Sequence, residues 1–156
     1  MRTKVGVVTV SDRASQGVYP DRSGPEAMAF VGERWPEAEI LYRLVPDEEK
    51  AIQEAVLALL GEGCRLLLLT GGTGPAPRDR TPEAVLPLLN KVFPGFGEAM
   101  RLASLRETPT AILSRALAGS RGEALVLLLP GNPRAVRTCL EAVWDAVPVA
   151  LRLLEG

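Results

Sequence analysis

Short apolar runs alternate along this chain with longer stretches in which apolar residues recur at helical spacing. Each short run ends in turn-forming residues, as buried strands do, and several of the longer stretches begin with capping or proline signals. Because strands separated by helices pair in parallel through right-handed crossovers, the alternation predicts one domain over residues 1–156, with a mostly parallel sheet covered by helices on both faces. Pro148 is expected to break or restart the last helix. The predicted strands are 4–10, 39–45, 66–70, 110–113 and 125–129, and the predicted helices are 23–34, 48–60, a segment from 81, 97–107 and a segment from 133.

The sequence contains no histidine. No residue therefore titrates near neutral pH at its unperturbed pKa. This excludes nucleophiles activated by histidine, zinc sites with histidine ligands and the His/Cys deaminase site. The chemistry open to the chain rests on carboxylates, hydroxyls, arginines, backbone amides and any ion that they hold.

Charge and cysteine content narrow the class of protein further. Lysine and arginine together number 18 and aspartate and glutamate 19, so no overall basic field favours nucleic acid. Cys64 and Cys139 lie far apart without CxxC spacing, which argues against a disulfide framework or a metal knuckle. No apolar run approaches membrane-spanning length. These features predict a soluble protein of the reducing cytoplasm, with neither nucleic acid nor membrane as a partner.

Every predicted strand is followed by residues that can contact a polar ligand. In a parallel sheet the carboxyl ends of the strands meet at one edge, and ligands bind in the crevice beyond it. We therefore predict a binding site at this edge. Its candidate residues are Ser11, Asp12 and Arg13 after the first strand, Asp47 after the second, Gly71, Gly72, Thr73, Gly74, Arg78, Asp79 and Thr81 after the third, Ser114 and Arg115 after the fourth, and Gly131, Asn132 and Pro133 after the fifth.

A glycine-rich loop, residues 71–74, follows the third predicted strand. Such a loop exposes backbone N–H groups and lets an anion approach without a Cβ in the way, and the helix beginning at Thr81 adds an N-terminus that attracts anions. Neither GxxxxGK[ST] nor GxGxxG is present, so this is neither a P-loop nor a dinucleotide fingerprint. Two interpretations stay open, a phosphate-binding loop and a tight β-turn.

Aspartate is scarce in this chain, with five residues against 14 glutamates. Asp47 and Asp79, brought together at a phosphate site, would be suited to hold Mg²⁺. Each candidate aspartate also has a purely structural interpretation. Asp47 is placed to cap the following helix, Asp79 to form a surface ion pair with Arg78 or Arg80, and Asp12 to brace its own turn.

The remaining candidates have similar alternatives. Ser114 is suited to bond a ligand oxygen or simply to end its strand, and Asn132 to present its amide to a ring edge or to form the turn before a helix. Arginines bind phosphate through paired donors, whereas the ordinary role of any single arginine is a solvated surface charge. The arginines in question are Arg13, Arg78, Arg115 and Arg134.

Short motifs occur in a fixed order along nearly the whole chain. They are VTVSDRAS (8–15), GVYPD (17–21), VPDE (45–48), TGGTGP (70–75), RD (78–79), TPEA (81–84), PGFGEAMR (94–101), AILSR (111–115) and LPGNP (129–133). In this combination and order they resemble the bacterial molybdopterin adenylyltransferases of molybdenum cofactor biosynthesis.

The resemblance implies a three-layer α/β/α sandwich with a mostly parallel, Rossmann-like sheet, assembled as a trimer or, in one subgroup, a hexamer. It implies that molybdopterin reacts with Mg-ATP to give adenylylated molybdopterin and pyrophosphate, and that a molybdenum-inserting enzyme is a partner. By motif position, Asp47 and Asp79 correspond to the acidic residues needed for adenylyl transfer, and we expect them to hold the Mg²⁺. The loop 71–74 and Ser114 correspond to residues that line the site for pterin and nucleotide.

Two other functions are compatible with the same residues. One is a non-catalytic carrier that holds molybdopterin or its adenylylated form for a partner enzyme, and the other is a structural oligomer without a ligand. Consumption of ATP separates the enzyme from the carrier, and pterin binding separates both from the structural protein.

Overall fold

The computed structural model describes residues 3–156. Helices and strands alternate over most of this range, as the sequence predicts. In chain order the elements are β1 (Lys4–Val10), α1 (Asp12–Ser15), α2 (Ser23–Arg34), β2 (Glu39–Val45), α3 (Glu49–Gly61), β3 (Leu66–Thr70), α4 (Thr81–Val85), a 3-10 turn (Leu86–Leu88), β4 (Lys91–Val92), α5 (Pro94–Leu105), a second 3-10 turn (Pro109–Leu113), β5 (Leu117–Arg121), β6 (Ala124–Leu129), α6 (Pro133–Val143) and α7 (Ala146–Leu154).

The strands form one six-stranded sheet in the order β2-β1-β3-β6-β5-β4. β2, β1, β3 and β6 are parallel, whereas β5 is antiparallel to both β6 and β4. Val5 pairs with Leu66, and Leu66 with Leu125, so the parallel strands are in step and end at the same edge. The predicted mostly parallel sheet is confirmed.

Two apolar layers cover the sheet, one on each face. Alternate residues of β3 point to opposite layers, as the two-residue period of a strand requires: Leu66 and Leu68 belong to one, Leu67 and Leu69 to the other. The first layer packs against α2, α5, α6 and α7, and the second against α3 and α4. The predicted three-layer α/β/α sandwich is therefore confirmed.

The predicted strand at 110–113 is wrong. This segment is the 3-10 turn Pro109–Leu113, in which Ile112 and Leu113 are exposed. The fourth long strand is instead β5, which begins at Leu117 and forms a hairpin with β6 through Gly122 and Glu123. The prediction failed because the apolar residues of the 3-10 turn mimic a buried strand, whereas the small residues of β5 give little strand signal.

Two helical regions also differ from the prediction. α5 begins at Pro94 rather than at Gly97, with the proline in the first turn, where its missing N–H costs no hydrogen bond. The last helical region is interrupted at residues 144–145, and Pro148 lies in the first turn of α7. The other boundaries lie close to those predicted.

Both cysteines are buried and carry free thiols, in accord with the absence of a disulfide pattern. Burial raises the pKa of each thiol, because the charged thiolate is disfavoured away from water. Within residues 3–156, none of the helices is both long enough and apolar enough to cross a membrane.

Candidate functional site

A cavity of about 950 Å³ opens at the edge where the parallel strands end. Residues from four separate connections of the chain line it, because β1, β2, β3 and β6 finish side by side. The lining comprises Thr9, Val10, Ser11, Asp12, Arg13, Ala14, Tyr19, Pro20, Asp21, Arg22, Ser23, Asp47, Gly71, Gly72, Arg78, Asp79, Gly131, Asn132 and Pro133.

Two glycines at the end of β3 form part of the cavity wall. Gly71 has φ +94° and Gly72 φ +68°, conformations that favour glycine. A Cβ on Gly71 would lie 2.2 Å from the carbonyl oxygen of Val10, and one on Gly72 would lie 2.1 Å from Oγ1 of Thr81. The loop therefore needs glycine both for its backbone angles and for its close approach to β1 and α4.

Buried Thr81, the first residue of α4, fastens this loop. Its amide donates to the carbonyl of Gly72 at 3.0 Å, and its hydroxyl donates to the carbonyl of Gly71 at 2.8 Å. On the sheet side, the amide of Gly71 donates to the carbonyl of Leu129 at 3.1 Å. These bonds fasten the start of the glycine-rich loop to α4 through its carbonyls and to β6 through the amide of Gly71.

Four carboxylates line the cavity, and one of them, that of Asp12, is hydrogen-bonded to the backbone of another, Asp47. The amide of Asp47 donates to Oδ1 of Asp12 at 2.9 Å, and Arg78 donates to Oδ2 of Asp12 from Nε at 3.0 Å and from Nη2 at 2.6 Å. The bond from Asp47 and the pairing with Arg78 hold the pKa of Asp12 below its ordinary value. Asp12 thus joins the connections that follow β1, β2 and β3.

The pKa of Asp47 is raised, in contrast to that of Asp12. Burial raises its pKa, the charges of Asp79 and Asp12 add to that rise, and a hydrogen bond of 3.3 Å from the amide of Arg80 opposes it. The helix-cap interpretation of Asp47 is wrong, because α3 is preceded by Glu48 as its N-cap residue. Its carboxylate instead lies between the end of β2 and the connection that leads to α4.

Asp79 closes its own turn rather than pairing with a neighbouring arginine. Its Oδ2 accepts a hydrogen bond from the amide of Ala76 at 2.9 Å. Arg78 pairs with Asp12, and Arg80 pairs with Glu49. The interpretation of Asp79 as half of a local ion pair is therefore wrong, as is that of Asp12 as a brace for its own turn.

Comparison with known protein families identifies this arrangement. Residues 6–149 match the family described as "Probable molybdopterin binding domain". The chain belongs to this family. The resemblance that the ordered motifs predict is thereby confirmed.

Curated members of the family cover nearly the whole chain. A Helicobacter pylori protein named molybdopterin adenylyltransferase is 46% identical over 154 residues, which span 97% of this chain and 88% of that protein. An Escherichia coli protein of the same name is 43% identical over 167 residues, which span 98% and 86%. Among solved structures, the molybdopterin biosynthesis enzyme MoaB of Thermus thermophilus matches with a TM-score of 0.87 and 48% identity, over 97% of this chain and 96% of that one.

Most of the sequence-predicted site residues line the cavity of this family member, and five do not. Thr73 and Thr81 are buried. The hydroxyl of Ser114 accepts a hydrogen bond from the amide of Ala116 at 3.2 Å. These three residues, with Gly74 and Arg115, lie outside the cavity lining. Thr81 and Arg115 bond segments that carry lining residues. Ser114 instead bonds Ala111, Ala116 and Arg101, which all lie outside the lining.

Ser114 and Arg115 lie at the predicted edge of the sheet, but their position relative to the strand differs from the prediction. They precede β5 instead of ending a strand. Because β5 is antiparallel to β6, its first residues lie beside the carboxyl end of β6, with Leu117 opposite Leu128. The placement at this edge is therefore right, although the predicted strand is not.

Asn132 caps α6 as the turn interpretation predicted. Its Oδ1 accepts hydrogen bonds from the amides of Arg134 at 2.9 Å and Ala135 at 3.2 Å. The residue also lines the cavity. The cap and a ligand contact through the amide nitrogen are compatible, because the cap uses only the oxygen.

Sequence reasoning missed the loop between α1 and α2 as a contributor of side chains to this cavity. Asp21 accepts hydrogen bonds from the hydroxyl of Thr9 at 2.7 Å, from the hydroxyl of Tyr42, and from the amide of Gly24 at 3.2 Å. Burial and the bond to Asp21 raise the pKa of Tyr42 to about 12. The scarcity of aspartate, which drew attention to Asp12, Asp47 and Asp79, was an available signal for Asp21 as well.

Proposed function

We propose that this chain is a molybdopterin adenylyltransferase, which transfers AMP from ATP to the terminal phosphate of molybdopterin and releases pyrophosphate. The observation that carries the proposal is the joint placement of the glycine-rich loop, Asp47 and Asp79 around one cavity. Curated relatives that bear this name support it, since they match the chain over nearly its full length.

The reaction requires no proton shuttle from the protein. An oxygen of the molybdopterin phosphate attacks the α-phosphorus of ATP and forms a new P–O bond. The bond between the α-phosphorus and the oxygen that bridges it to the β-phosphorus breaks, and pyrophosphate leaves with that electron pair. Because a phosphate monoester is largely ionised at neutral pH, the nucleophile is ready, which agrees with a chain that has no histidine.

Backbone amides and arginines supply the positive character that the phosphates need. Among residues 3–156, no hydrogen-bond acceptor pairs with the amides of Gly72 and Gly131, and both glycines line the cavity. Arg13 and Arg22 add exposed guanidinium groups to the same lining. We assign these donors to substrate phosphates, because oriented N–H groups stabilise the charge that develops during phosphoryl transfer.

Mg²⁺ fits the carboxylates of this cavity. A bound cation would offset the burial and the neighbouring charges that raise the pKa of Asp47. The described part of the chain contains no cluster of three or more potential metal ligands, but Mg²⁺ at nucleotide sites takes one or two carboxylates and completes its shell with water and phosphate oxygens. Asp47 and Asp79 would hold the ion, which would neutralise charge on the phosphates.

We further propose that the protein is a homo-oligomer, with a trimer as the expected form. Four apolar side chains on α5 and the adjacent 3-10 turn are exposed, and we call them the α5 patch: Leu102 at 63%, Leu105 at 40%, Ile112 at 68% and Leu113 at 52%. Clustered exposed apolar side chains mark contact surfaces.

We place the protein in the cytoplasm, where ATP is available and its thiols stay reduced. A molybdenum-inserting enzyme would receive its product.

The deciding experiment is an adenylylation assay. Purified protein is incubated with molybdopterin, ATP and Mg²⁺, and adenylylated molybdopterin and pyrophosphate are measured by chromatography. Both products should accumulate in equal amounts, and an Asp79→Asn variant should lose most of the activity. Pterin binding without turnover would favour the carrier function instead, and full activity of the variant would remove Asp79 from the site.

A further inference from the structure

The side chain of Arg115 bonds two points on the connection between β3 and α4 and a third point in α4 itself. Its Nε donates to the carbonyl of Gly74 at 3.0 Å, its Nη2 donates to the carbonyl of Asp79 at 2.7 Å, and its Nη1 pairs with the carboxylate of Glu83 in the first turn of α4. Its backbone amide also donates to the carbonyl of Thr73 at 2.8 Å. All three guanidinium nitrogens therefore bond the protein.

The segment that Arg115 holds, residues 74–79, has few other attachments to the fold. It contains Pro75 and Pro77, which have no amide hydrogen to donate. The bonds between Ala76 and Asp79 lie within the segment, so they shape it without fixing it to the sheet. Arg78 also bonds Asp12, but its side chain is 65% exposed, and ion pairs at such exposed positions contribute little. Arg115 is therefore the principal anchor of the carbonyls at both ends of this segment.

Arg115 is itself well placed to act as an anchor. It precedes β5, and Arg101 of α5 donates to the carbonyls on either side of it, at 3.3 Å to Ser114 and 2.7 Å to Ala116. Ala116 is buried against the core. The position of Arg115 is thus fixed by α5 and β5, elements that belong to the rigid body of the sandwich.

We infer that Arg115 is a positioning residue, which sets the location of the Asp79 carboxylate by fixing the Gly74 and Asp79 carbonyls to the core. The inference rests on the proposed function, in which Asp79 holds the metal. It differs from the sequence-based expectation that Arg115 contacts substrate, because Arg115 lies outside the cavity lining and its donors are engaged. Since displacement of a reacting group by about 1 Å can reduce a rate about 100-fold, such an anchor matters to turnover.

Two variants test this role. Arg115→Ala removes all the side-chain bonds, whereas Arg115→Lys keeps the charge near Glu83 but lacks the planar fork that reaches two carbonyls at once. Arg152→Ala is the matched control, because Arg152 is an exposed arginine on α7, remote from the cavity. Thermal unfolding of each variant shows whether it is folded. If Arg115→Ala does not fold, Arg115→Lys still allows the test.

The first measurement is hydrogen–deuterium exchange in the protein without ligands. We expect exchange in residues 74–80 to become at least about tenfold faster in Arg115→Ala, because the anchored carbonyls are released. Arg115→Lys should fall between Arg115→Ala and the wild type, and Arg152→Ala should match the wild type. Unchanged exchange in the two Arg115 variants would overturn the inference, whether or not the wild type proves to be an enzyme.

The second measurement separates positioning from direct substrate contact. In Arg115→Ala we expect kcat to fall about 10- to 100-fold, with the KM for molybdopterin within about twofold of the wild type. A large rise in that KM with kcat preserved would make Arg115 a substrate ligand and overturn the inference. If the wild type forms no adenylylated product, the proposed function fails, and the exchange measurement still decides whether Arg115 anchors the loop.

Discussion

The amide of Asp47 donates a hydrogen bond of 2.9 Å to Oδ1 of Asp12. The bond joins the connections that follow β1 and β2, and Arg78 binds the other oxygen of the same carboxylate. One aspartate thus spans three connections of the chain at the edge where the cavity opens. The charge of Asp12 and the ionisation of Asp47 can each be tested by replacing the aspartate with asparagine.

The charge of Asp12 should stabilise the folded protein in a pH-dependent way. Its pKa is lowered in the folded state, first by the Asp47 amide and then by Arg78, so its contribution is complete above the unfolded pKa of about 3.9. The contribution is lost as the pH falls through the folded pKa.

Asp12→Asn is the variant that reports this charge, because it keeps an oxygen for the Asp47 amide and loses the pairing with Arg78. We expect its Tm to be lower than that of the wild type between about pH 5 and 8, and the difference to shrink as the pH falls below about 4. Circular dichroism melts across this range measure it. A constant difference at every pH would show that the charge is not responsible.

Asp47 should show a trade-off between stability and activity. Its folded pKa is raised by burial and by Asp79 and Asp12, so its ionised form disfavours the folded state at neutral pH. We therefore expect Asp47→Asn to raise the Tm at pH 7 while adenylylation falls by about 100-fold.

The control for this variant is Asp145→Asn, which removes the charge of an exposed aspartate between α6 and α7. It should leave activity unchanged. Magnesium provides a second readout, since it should raise the Tm of the wild type more than that of Asp47→Asn. An equal response to Mg²⁺ in both proteins would remove Asp47 from the metal site.

Gly71→Ala should be strongly destabilising. The new Cβ would lie 2.2 Å from the carbonyl oxygen of Val10, at a residue whose φ is +94°. Overpacking and backbone strain together should lower the free energy of unfolding by about 3 kcal/mol. Urea unfolding followed by circular dichroism gives this value directly.

Gly17→Ala is the matched comparison for the backbone angle alone. Gly17 has φ +76°, but a Cβ there meets nothing within 4 Å. Gly17→Ala should therefore lower the free energy of unfolding by only about 1 kcal/mol. Equal losses in the two variants would mean that the approach of Gly71 to β1 does not limit this position.

The α5 patch should determine the oligomeric state. Replacing Leu102 and Ile112, both more than half exposed, with glutamate places charge where apolar contact is proposed, so we expect the assembly to dissociate. Light scattering coupled to gel filtration gives the mass of each form.

Leu57→Glu serves as the control for that double variant. Leu57 is also exposed, at 42%, but it lies on α3, which covers the other face of the sheet. It should leave the mass unchanged. A monomeric wild type would contradict the proposed assembly.

The parallel part of the fold and the outline of the site follow from local sequence patterns. The run Leu66–Thr70 is fully buried, and such uninterrupted apolar runs identify central strands without any knowledge of the partner strand. Residues directly after such strands meet at one edge by topology alone. For this reason the sequence predicts that Ser11, Asp47, Gly71 and Gly131 lie together, and all four line the cavity.

The tertiary structure decided what the local patterns could not contain. The antiparallel strand β5 consists largely of small residues, so its sequence shows no periodic apolar pattern. It is a strand because its backbone pairs with β6 and β4. That strand brings Arg115 to the connection between β3 and α4, 36 residues from Asp79. Hydrogen bonds between residues so distant in sequence depend on how the chain closes on itself. The sequence determined which side chains are available at this edge, and only the packing of the sheet decided which of them face the cavity and which hold the others in place.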